Sequence, residues 1–126
     1  MMPAYHNLDF ASVQVRHLET SAQFYRDILG FEAVEEQRSD AVVFKNGAGA
    51  IFAIRTPMRP LPEEGALGIG ASLWFDTADV DSLYQRLLDA EATVLAKPDA
   101  GPFGRQMTCL DPDGYVLVFH QHTNNQ

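Results

Sequence analysis

The sequence has little of three things that would indicate a specialised class of protein: cysteine, positive charge and long apolar runs. Its 126 residues include one cysteine, Cys109, which excludes an internal disulfide framework and favours a reducing compartment. No apolar run approaches the roughly 20 residues that span a bilayer. Residues 1–6 show no basic segment followed by an apolar one, as a secretory signal would. We therefore expect a cytoplasmic protein without a membrane partner.

Basic residues are scarce relative to acidic ones. Nine lysines and arginines stand against 17 aspartates and glutamates, for a formal net charge of −8. Phosphate backbones require a basic surface, so no nucleic-acid partner is expected. The acidic balance is compatible with a cationic ligand, although a solvated acidic surface that aids solubility explains it more simply. The length fits a single domain over residues 1–126.

What the chain does contain is an internal repeat. Residues 10–30 have the pattern of a strand, a turn, a helix and a closing glycine, and residues 72–92 repeat the strand, turn and helix. Short β-rich runs follow each helix. A duplicated βαβββ unit predicts an α+β fold in which two tandem modules form a curved mixed sheet around a central cleft. We place module one at about 8–56, a proline-rich linker at 57–69 and module two at about 70–122.

The local signals place the individual elements. Helices are predicted over Glu19–Leu29, capped by Thr20 or Ser21 and ended by Gly30, and over Val80–Ala90. Residues 98–105 are predicted to be a flexible loop, either a lid beside the cleft or an ordinary connection. Strands are predicted at residues 8–15, 32–37, 41–45, 50–55, 70–76, 93–96, 106–111 and 115–122.

Two segments resemble a known family. Val13–Phe31 is similar to the opening strand and helix of the vicinal oxygen chelate superfamily, the group of glyoxalases, bleomycin-resistance proteins and extradiol dioxygenases. Gly104–Phe119, with its Asp-Pro-Asp-Gly turn, is similar to the family's closing pattern. The resemblance covers nearly the whole chain and implies the glyoxalase/bleomycin-resistance fold. It also implies a homodimer, since family members commonly pair and some exchange modules between chains.

The family's enzymes usually hold a divalent metal with His, Gln or Glu side chains on the first and last strands of the modules. These places fall on Phe10, Ser72, Val118 and, by a looser alignment, Ala53. Three of these residues have no donor atom, and a neutral serine hydroxyl is a weak ligand. No metal and no other cofactor is therefore expected. The resemblance is assigned to the metal-free, bleomycin-resistance-like branch.

Other reactive groups do not form a recognisable catalytic set, so no catalytic residue is assigned. His120 and His122 share one side of the last strand and are predicted to be a surface pair, with weak nickel or zinc affinity left open. Cys109 has apolar neighbours, which indicates a buried and inert thiol. The sequence has no nucleophile elbow, phosphate loop or dinucleotide fingerprint.

Strand alternation instead predicts a ligand-binding groove with an apolar floor and a few polar groups. Trp74 carries most weight: it either forms a stacking wall for a planar ligand or fills the groove or a dimer interface. The predicted ligand-binding residues are Phe10, Ser12, Gln14, Arg55, Ser72, Trp74, Asp76, Phe103, Arg105, Val118 and His120.

The sequence thus predicts a protein that binds a small, largely apolar or aromatic molecule in the cleft without a metal, with antibiotic sequestration as the nearest analogy. One alternative is a metal-dependent lyase, isomerase or oxygenase of the glyoxalase or dioxygenase type. A second is metal-independent acid–base catalysis, with His120 or Asp76 carrying the proton. A third is a domain that has lost ligand binding and serves assembly.

Overall fold

In the part of the chain that the structure describes, two helices and eight strands make up the two modules. The computed structural model describes residues 2–35, 38–47 and 49–121. Module one contains β1 (Ala11–Gln14), α1 (Leu18–Gln23), a π-helical turn (Phe24–Ile28), β2 (Glu32–Ala33), β3 (Ala41–Asn46) and β4 (Gly49–Arg55). Module two contains β5 (Ser72–Asp76), α2 (Val80–Asp89), β6 (Val94–Gly101), β7 (Gly104–Leu110) and β8 (Val116–Gln121).

Each module forms its own four-stranded mixed sheet, and the two sheets have the same topology. The strand orders are β1-β4-β3-β2 and β5-β8-β7-β6. In each, the first strand is parallel to the last, which is antiparallel to its other neighbour. Ser12 pairs with Ala53 in module one as Trp74 pairs with Val118 in module two. The predicted α+β fold with two βαβββ modules is confirmed.

One hydrophobic core serves both modules. Tyr25, Phe44 and Phe52 are almost fully buried, with ring centroids 5.2–6.0 Å apart. The Phe75 ring of module two lies 5.0 Å from that of Phe31 and 5.5 Å from that of Phe52. Aromatic pairs at these distances add to the free energy gained by burying their area. The two helices and the inner faces of both sheets therefore pack as a single unit.

Helix α1 differs from its prediction at both ends. It begins at Leu18, after His17, and has no side-chain cap; Ser21 is buried within it. The predicted capping by Thr20 or Ser21 is therefore wrong, because the chain enters the helix earlier than expected. The helix widens into a π-helical turn, where the Leu29 N–H donates to the Phe24 carbonyl oxygen at 2.9 Å.

The predicted end of helix one at Gly30 is confirmed. Gly30 has φ of 85°, the left-handed conformation that favours glycine after a helix. Asp79 precedes α2, and its Oδ1 accepts a hydrogen bond from the Ser82 N–H at 3.0 Å. No helix within the described residues is long and apolar enough to cross a membrane.

The segment predicted as a flexible loop at residues 98–105 is instead the end of a β-hairpin. Strand β6 continues to Gly101, β7 begins at Gly104, and only Pro102 and Phe103 lie between them. The ladder shifts register between Ala96 and Asp99, around a proline on an edge strand. A proline is tolerated there because the edge N–H has no partner to lose.

Some strand ends differ from prediction. Strand β1 begins at Ala11 rather than at residue 8, and Leu8 and Phe10 are exposed outside the ladder. Strand β2 ends at Ala33, whereas the predicted strand reached residue 37, which lies outside the described residues, as does His122.

The linker packs against the Asp-Pro-Asp-Gly turn. The Leu67 N–H donates to the Asp113 carbonyl oxygen at 2.8 Å. Gly114 has φ of 89°, and a Cβ placed on it would lie 2.6 Å from the Cβ of Ala66. Gly114 is thus required both for the turn conformation and for the close approach of the linker. The contact holds the segment that joins the modules against module two.

Candidate ligand-binding site

A cleft of about 800 Å³ opens between strands β1 and β5, the neighbouring edges of the two modules. Its walls include Phe10 from module one and Trp74 from module two. Polar and charged residues also line it: Asp9, Glu32, Lys45, Asn46, Ser72, Asp76 and Thr77. Core aromatic side chains form part of the floor: Phe31, Phe52, Phe75 and Phe119. The size and the mixture of aromatic surface with a few polar groups are typical of a site for a small organic molecule.

The predicted site residues divide into two groups. Four of the eleven, namely Phe10, Ser72, Trp74 and Asp76, line the cleft together. The other seven are not among the cleft-lining residues. Ser12, Gln14, Arg55, Val118 and His120 lie on the sheet faces turned away from the helices, the face that Trp74 shares with Val118. Phe103 and Arg105 lie on the β6–β7 hairpin. The floor phenylalanines are not among the predicted ligand-binding residues, because no sequence signal showed that the cleft reaches them.

Trp74, Phe103 and His120 form a cluster on the outer face of module two, which we call the aromatic corner. The ring centroids are 6.0 Å apart for Trp74 and Phe103 and 6.1 Å apart for each of the other two pairs. Trp74 is 45% exposed and Phe103, at the hairpin tip, is 59% exposed. The Trp74 indole Nε1–H donates to Ser72 Oγ at 2.9 Å, which orients the indole.

Two of the predicted polar residues have structural partners on module one. Gln14 Oε1 accepts a hydrogen bond from the Met58 N–H at 2.8 Å, which holds the start of the linker against β1. Arg55 donates to the Thr56 carbonyl oxygen and lies 3.9 Å from an Asp40 carboxylate oxygen. Both side chains therefore support the end of sheet one rather than the cleft.

Arg105 is held by a carboxylate of α2. Its Nε and Nη2 atoms lie 2.8 Å and 2.9 Å from the two Asp81 carboxylate oxygens, a bidentate arrangement. This guanidinium lowers the pKa of Asp81, so the carboxylate stays ionised. The pair ties the β6–β7 hairpin to the start of α2.

The places where family enzymes hold a metal do not offer a fitting set of ligands. Ala53 pairs with Ser12, two residues after Phe10, and Val118 pairs with Trp74, two residues after Ser72. This matching register supports Ala53 as the module-one counterpart of Val118. Alanine, valine and Phe10 supply no donor atom. Across residues 2–35, 38–47 and 49–121, no three His, Cys, Asp or Glu side chains converge as a metal site would require. We therefore derive no chemistry through a metal here.

A buried polar link between the modules was missed by sequence reasoning. The Tyr25 hydroxyl donates to Asp111 Oδ2 at 2.7 Å, and both residues are buried. The other oxygen of Asp111 accepts from the Asp113 and Tyr115 N–H groups at 2.9 Å. Asp111 was assigned only to a turn, and no local signal indicates a partner 86 residues away. The link fixes helix one against the turn of module two.

The same region accounts for the inert cysteine. Cys109 is fully buried, and burial together with the nearby Asp111 raises the pKa of its thiol to about 12. A thiol with so high a pKa is protonated at neutral pH and is a poor nucleophile. The predicted burial of Cys109 is confirmed.

The Asp111 carboxyl gives a prediction about pH. Burial raises the pKa of Asp111 above its ordinary 3.8, and its hydrogen bonds only partly oppose this. The folded chain therefore binds this proton more tightly than the unfolded chain does. The resulting stabilisation is complete below the ordinary pKa and is lost as the pH rises through the raised one.

Asp111→Asn cannot titrate, so we expect the stability of the unchanged protein relative to this variant to fall as the pH rises from about 4 into the neutral range. Urea denaturation of both proteins across this range measures the difference. Asp89→Asn, which removes an exposed carboxylate of α2, is the control and should show no such trend. If the unchanged protein instead became more stable relative to Asp111→Asn as the pH rose, the raised pKa of Asp111 would be contradicted.

Comparisons with known proteins agree with the fold. The family model of the Glyoxalase/Bleomycin resistance protein/Dioxygenase superfamily matches residues 7–119, so the chain belongs to this superfamily. The predicted superfamily is confirmed. A search of curated proteins finds no significant match.

Solved structures show the same fold at low identity. A glyoxalase/dioxygenase from Nostoc punctiforme is 17% identical with a TM-score of 0.79, covering 98% of this chain and 97% of its own. A glyoxylase/bleomycin resistance protein/dioxygenase domain from Frankia sp. EAN1pec is 21% identical with a TM-score of 0.76, covering 98% and 96%. A lactoylglutathione lyase from Agrobacterium tumefaciens is 23% identical with a TM-score of 0.69, covering 94% and 96%. These likenesses establish the fold alone.

Proposed function

We propose that this protein binds a small, largely apolar or aromatic organic molecule in the cleft between its modules, without a metal. One observation carries the proposal: a cleft of about 800 Å³ has aromatic walls and floor, while the family's metal places carry Phe10, Ser72, Ala53 and Val118. Such a site recognises a ligand by shape, stacking and apolar contact.

Trp74 is the central binding residue in this proposal. Trp74 is about half exposed and is one of the residues that line the cleft, and the hydrogen bond to Ser72 orients its indole before any ligand arrives. A side chain already held in place loses little conformational entropy on binding. A planar ligand that stacks on the indole would face Phe10 on the opposite module, and Asp76 would contact polar groups at its edge.

The proposal includes a homodimer and a role in sequestration. The segment before β1 exposes Met2, Tyr5 and Leu8, each more than four-fifths accessible, and Leu8 lies at the mouth of the cleft. A second copy of the chain would bury this apolar surface and narrow the opening. Sequestration of an antibiotic or similar compound requires binding and no catalytic residue. The aromatic residues that line the cleft can supply that binding.

A thermal-shift screen tests the proposed function. Untagged protein is heated with aromatic metabolites and antibiotics, with and without divalent ions and with a chelator. A ligand at a hundred times its Kd should raise the melting temperature by roughly 10 °C for a chain of this size. The shift should be the same in the chelator, and size-exclusion chromatography with light scattering should give a dimer mass.

The other outcomes would overturn the proposal in distinct ways. A tightly held, stoichiometric transition metal on which ligand binding depends would support the metal-dependent lyase, isomerase or oxygenase instead. Turnover of a bound compound in the chelator, lost on Asp76→Asn, would support acid–base catalysis. The absence of any hit across the aromatic library would support a domain that serves assembly.

A further inference from the structure

The aromatic corner has a geometry that a flat ligand cannot use in full. The planes of Trp74 and Phe103 are inclined by 87°, those of Trp74 and His120 by 57°, and those of Phe103 and His120 by 52°. A planar molecule can stack on only one of three rings that are mutually inclined in this way. A compact, rounded group can instead contact the exposed parts of Trp74 and Phe103 at the same time.

The charge around the corner is negative. Asp76 pairs with His120 across the β5–β8 ladder, at the strand ends next to the corner. Arg105 lies two residues beyond Phe103 on the same hairpin, but its guanidinium is bound by both carboxylate oxygens of Asp81. The whole chain carries a formal charge of −8. A cation brought to this surface is therefore attracted, and the local arginine does little to repel it.

We propose that the aromatic corner binds an organic ammonium group, so that the molecule held in the cleft carries a methylated or quaternary amine. The inference rests on the proposed function, because Trp74 belongs to both the corner and the cleft. A cation over the face of an aromatic ring is attracted by the ring's quadrupole within about 6 Å of its centroid. The Trp74 and Phe103 centroids are 6.0 Å apart, so a cation on the exposed side of this pair can lie within that distance of both rings.

A methylated ammonium suits these rings better than a simple amine does. The corner offers exposed aromatic surface of Trp74 and Phe103, and the indole N–H is a donor already bonded to Ser72. The N–H groups of a primary ammonium would lose their hydrogen bonds to water, and the rings would not supply equivalent acceptors. A quaternary ammonium has no N–H to satisfy and buries methyl groups against the rings.

The test compares choline with 3,3-dimethyl-1-butanol, which has the same shape but carbon in place of the charged nitrogen. The chain has a single tryptophan, so its one indole N–H resonance reports on the corner during an NMR titration. The titrations are made at pH 8 and constant ionic strength. Choline should shift this resonance saturably and bind at least about fivefold more tightly than the neutral compound.

Variants separate ring recognition from general attraction of cations. Phe103→Leu keeps an apolar side chain at the exposed hairpin tip but removes the ring, and it should weaken choline binding by about two- to fivefold without affecting the neutral compound. Phe10→Leu, on the other wall of the cleft, is the matched control and should leave the ratio of the two affinities unchanged. Asp76→Asn should weaken choline binding more than Asp89→Asn, which removes the same charge from the far end of α2.

Equal affinities for choline and its neutral counterpart, or a Phe103→Leu variant that binds choline normally, would overturn the ammonium inference. In that case the aromatic hits of the thermal-shift screen would still support the proposed function. If neither choline nor any aromatic compound bound, both the inference and the proposed function would fail.

Discussion

Replacing Tyr25 by alanine is expected to lower the free energy of unfolding by about 4 kcal/mol, the largest single-residue effect on stability that we predict. The side chain is fully buried and contacts Phe24, Phe31, Phe44 and Phe52. Its removal leaves a cavity at the centre of the core and deprives the buried Asp111 of a hydrogen-bond donor. Urea denaturation followed by circular dichroism measures the loss.

Tyr25→Phe separates the ring from the hydroxyl group. It keeps the packing and removes only the hydrogen bond to Asp111, so the expected loss is about 1–3 kcal/mol. The loss should be smaller when Asp111→Asn is already present, because the two side chains act on each other. If Tyr25→Phe were as stable as the unchanged protein, the link between the modules would contribute nothing to stability.

Replacing Trp74 by alanine is expected to weaken binding of the cleft ligand by about tenfold or more while leaving the fold intact. The indole is 45% exposed without ligand, so a stacked ligand would cover the remaining apolar surface of the ring. Burying that area contributes about 1–2 kcal/mol, and the alanine variant loses it. Isothermal titration calorimetry with the best compound of the screen measures the change.

Leu88→Ala is the matched control for the Trp74 variant. Leu88 is 44% exposed, close to the value for Trp74, but lies on α2, outside the cleft-lining residues. Its replacement should leave ligand affinity unchanged. A Trp74→Ala variant that binds as tightly as Leu88→Ala would remove the indole from the binding site.

Local patterns predicted the fold because they act over short distances. The repeat of strand, turn and helix gave the two modules, and alternation along β5 separated Leu73 and Phe75, which face the core, from Trp74, which does not. The glycine after helix one was predicted from its freedom to take positive φ. By contrast, residues 98–105 look like a loop from their two prolines and two glycines, yet pairing between β6 and β7 outweighs that preference.

The candidate site was predictable only in part. Phe10, Ser72, Trp74 and Asp76 line one cleft as the sequence suggested, whereas Gln14, Arg55 and Arg105 are engaged with the linker, the end of sheet one and α2. Charge and polarity marked these three residues as candidates, but their partners lie on other elements. Which polar residue meets a ligand and which meets the protein depends on packing that sequence patterns do not contain.

The amino-acid sequence by itself determined the family, the two modules and the apolar residues at the metal places, because these follow from residue identity, spacing and periodicity. Only the tertiary structure decided that Tyr25 bonds to Asp111, that Phe103 completes a corner with Trp74 and His120, and that the cleft reaches the core phenylalanines. These contacts join residues far apart in the chain. Their geometry is set by how the two sheets and helices pack on a shared core.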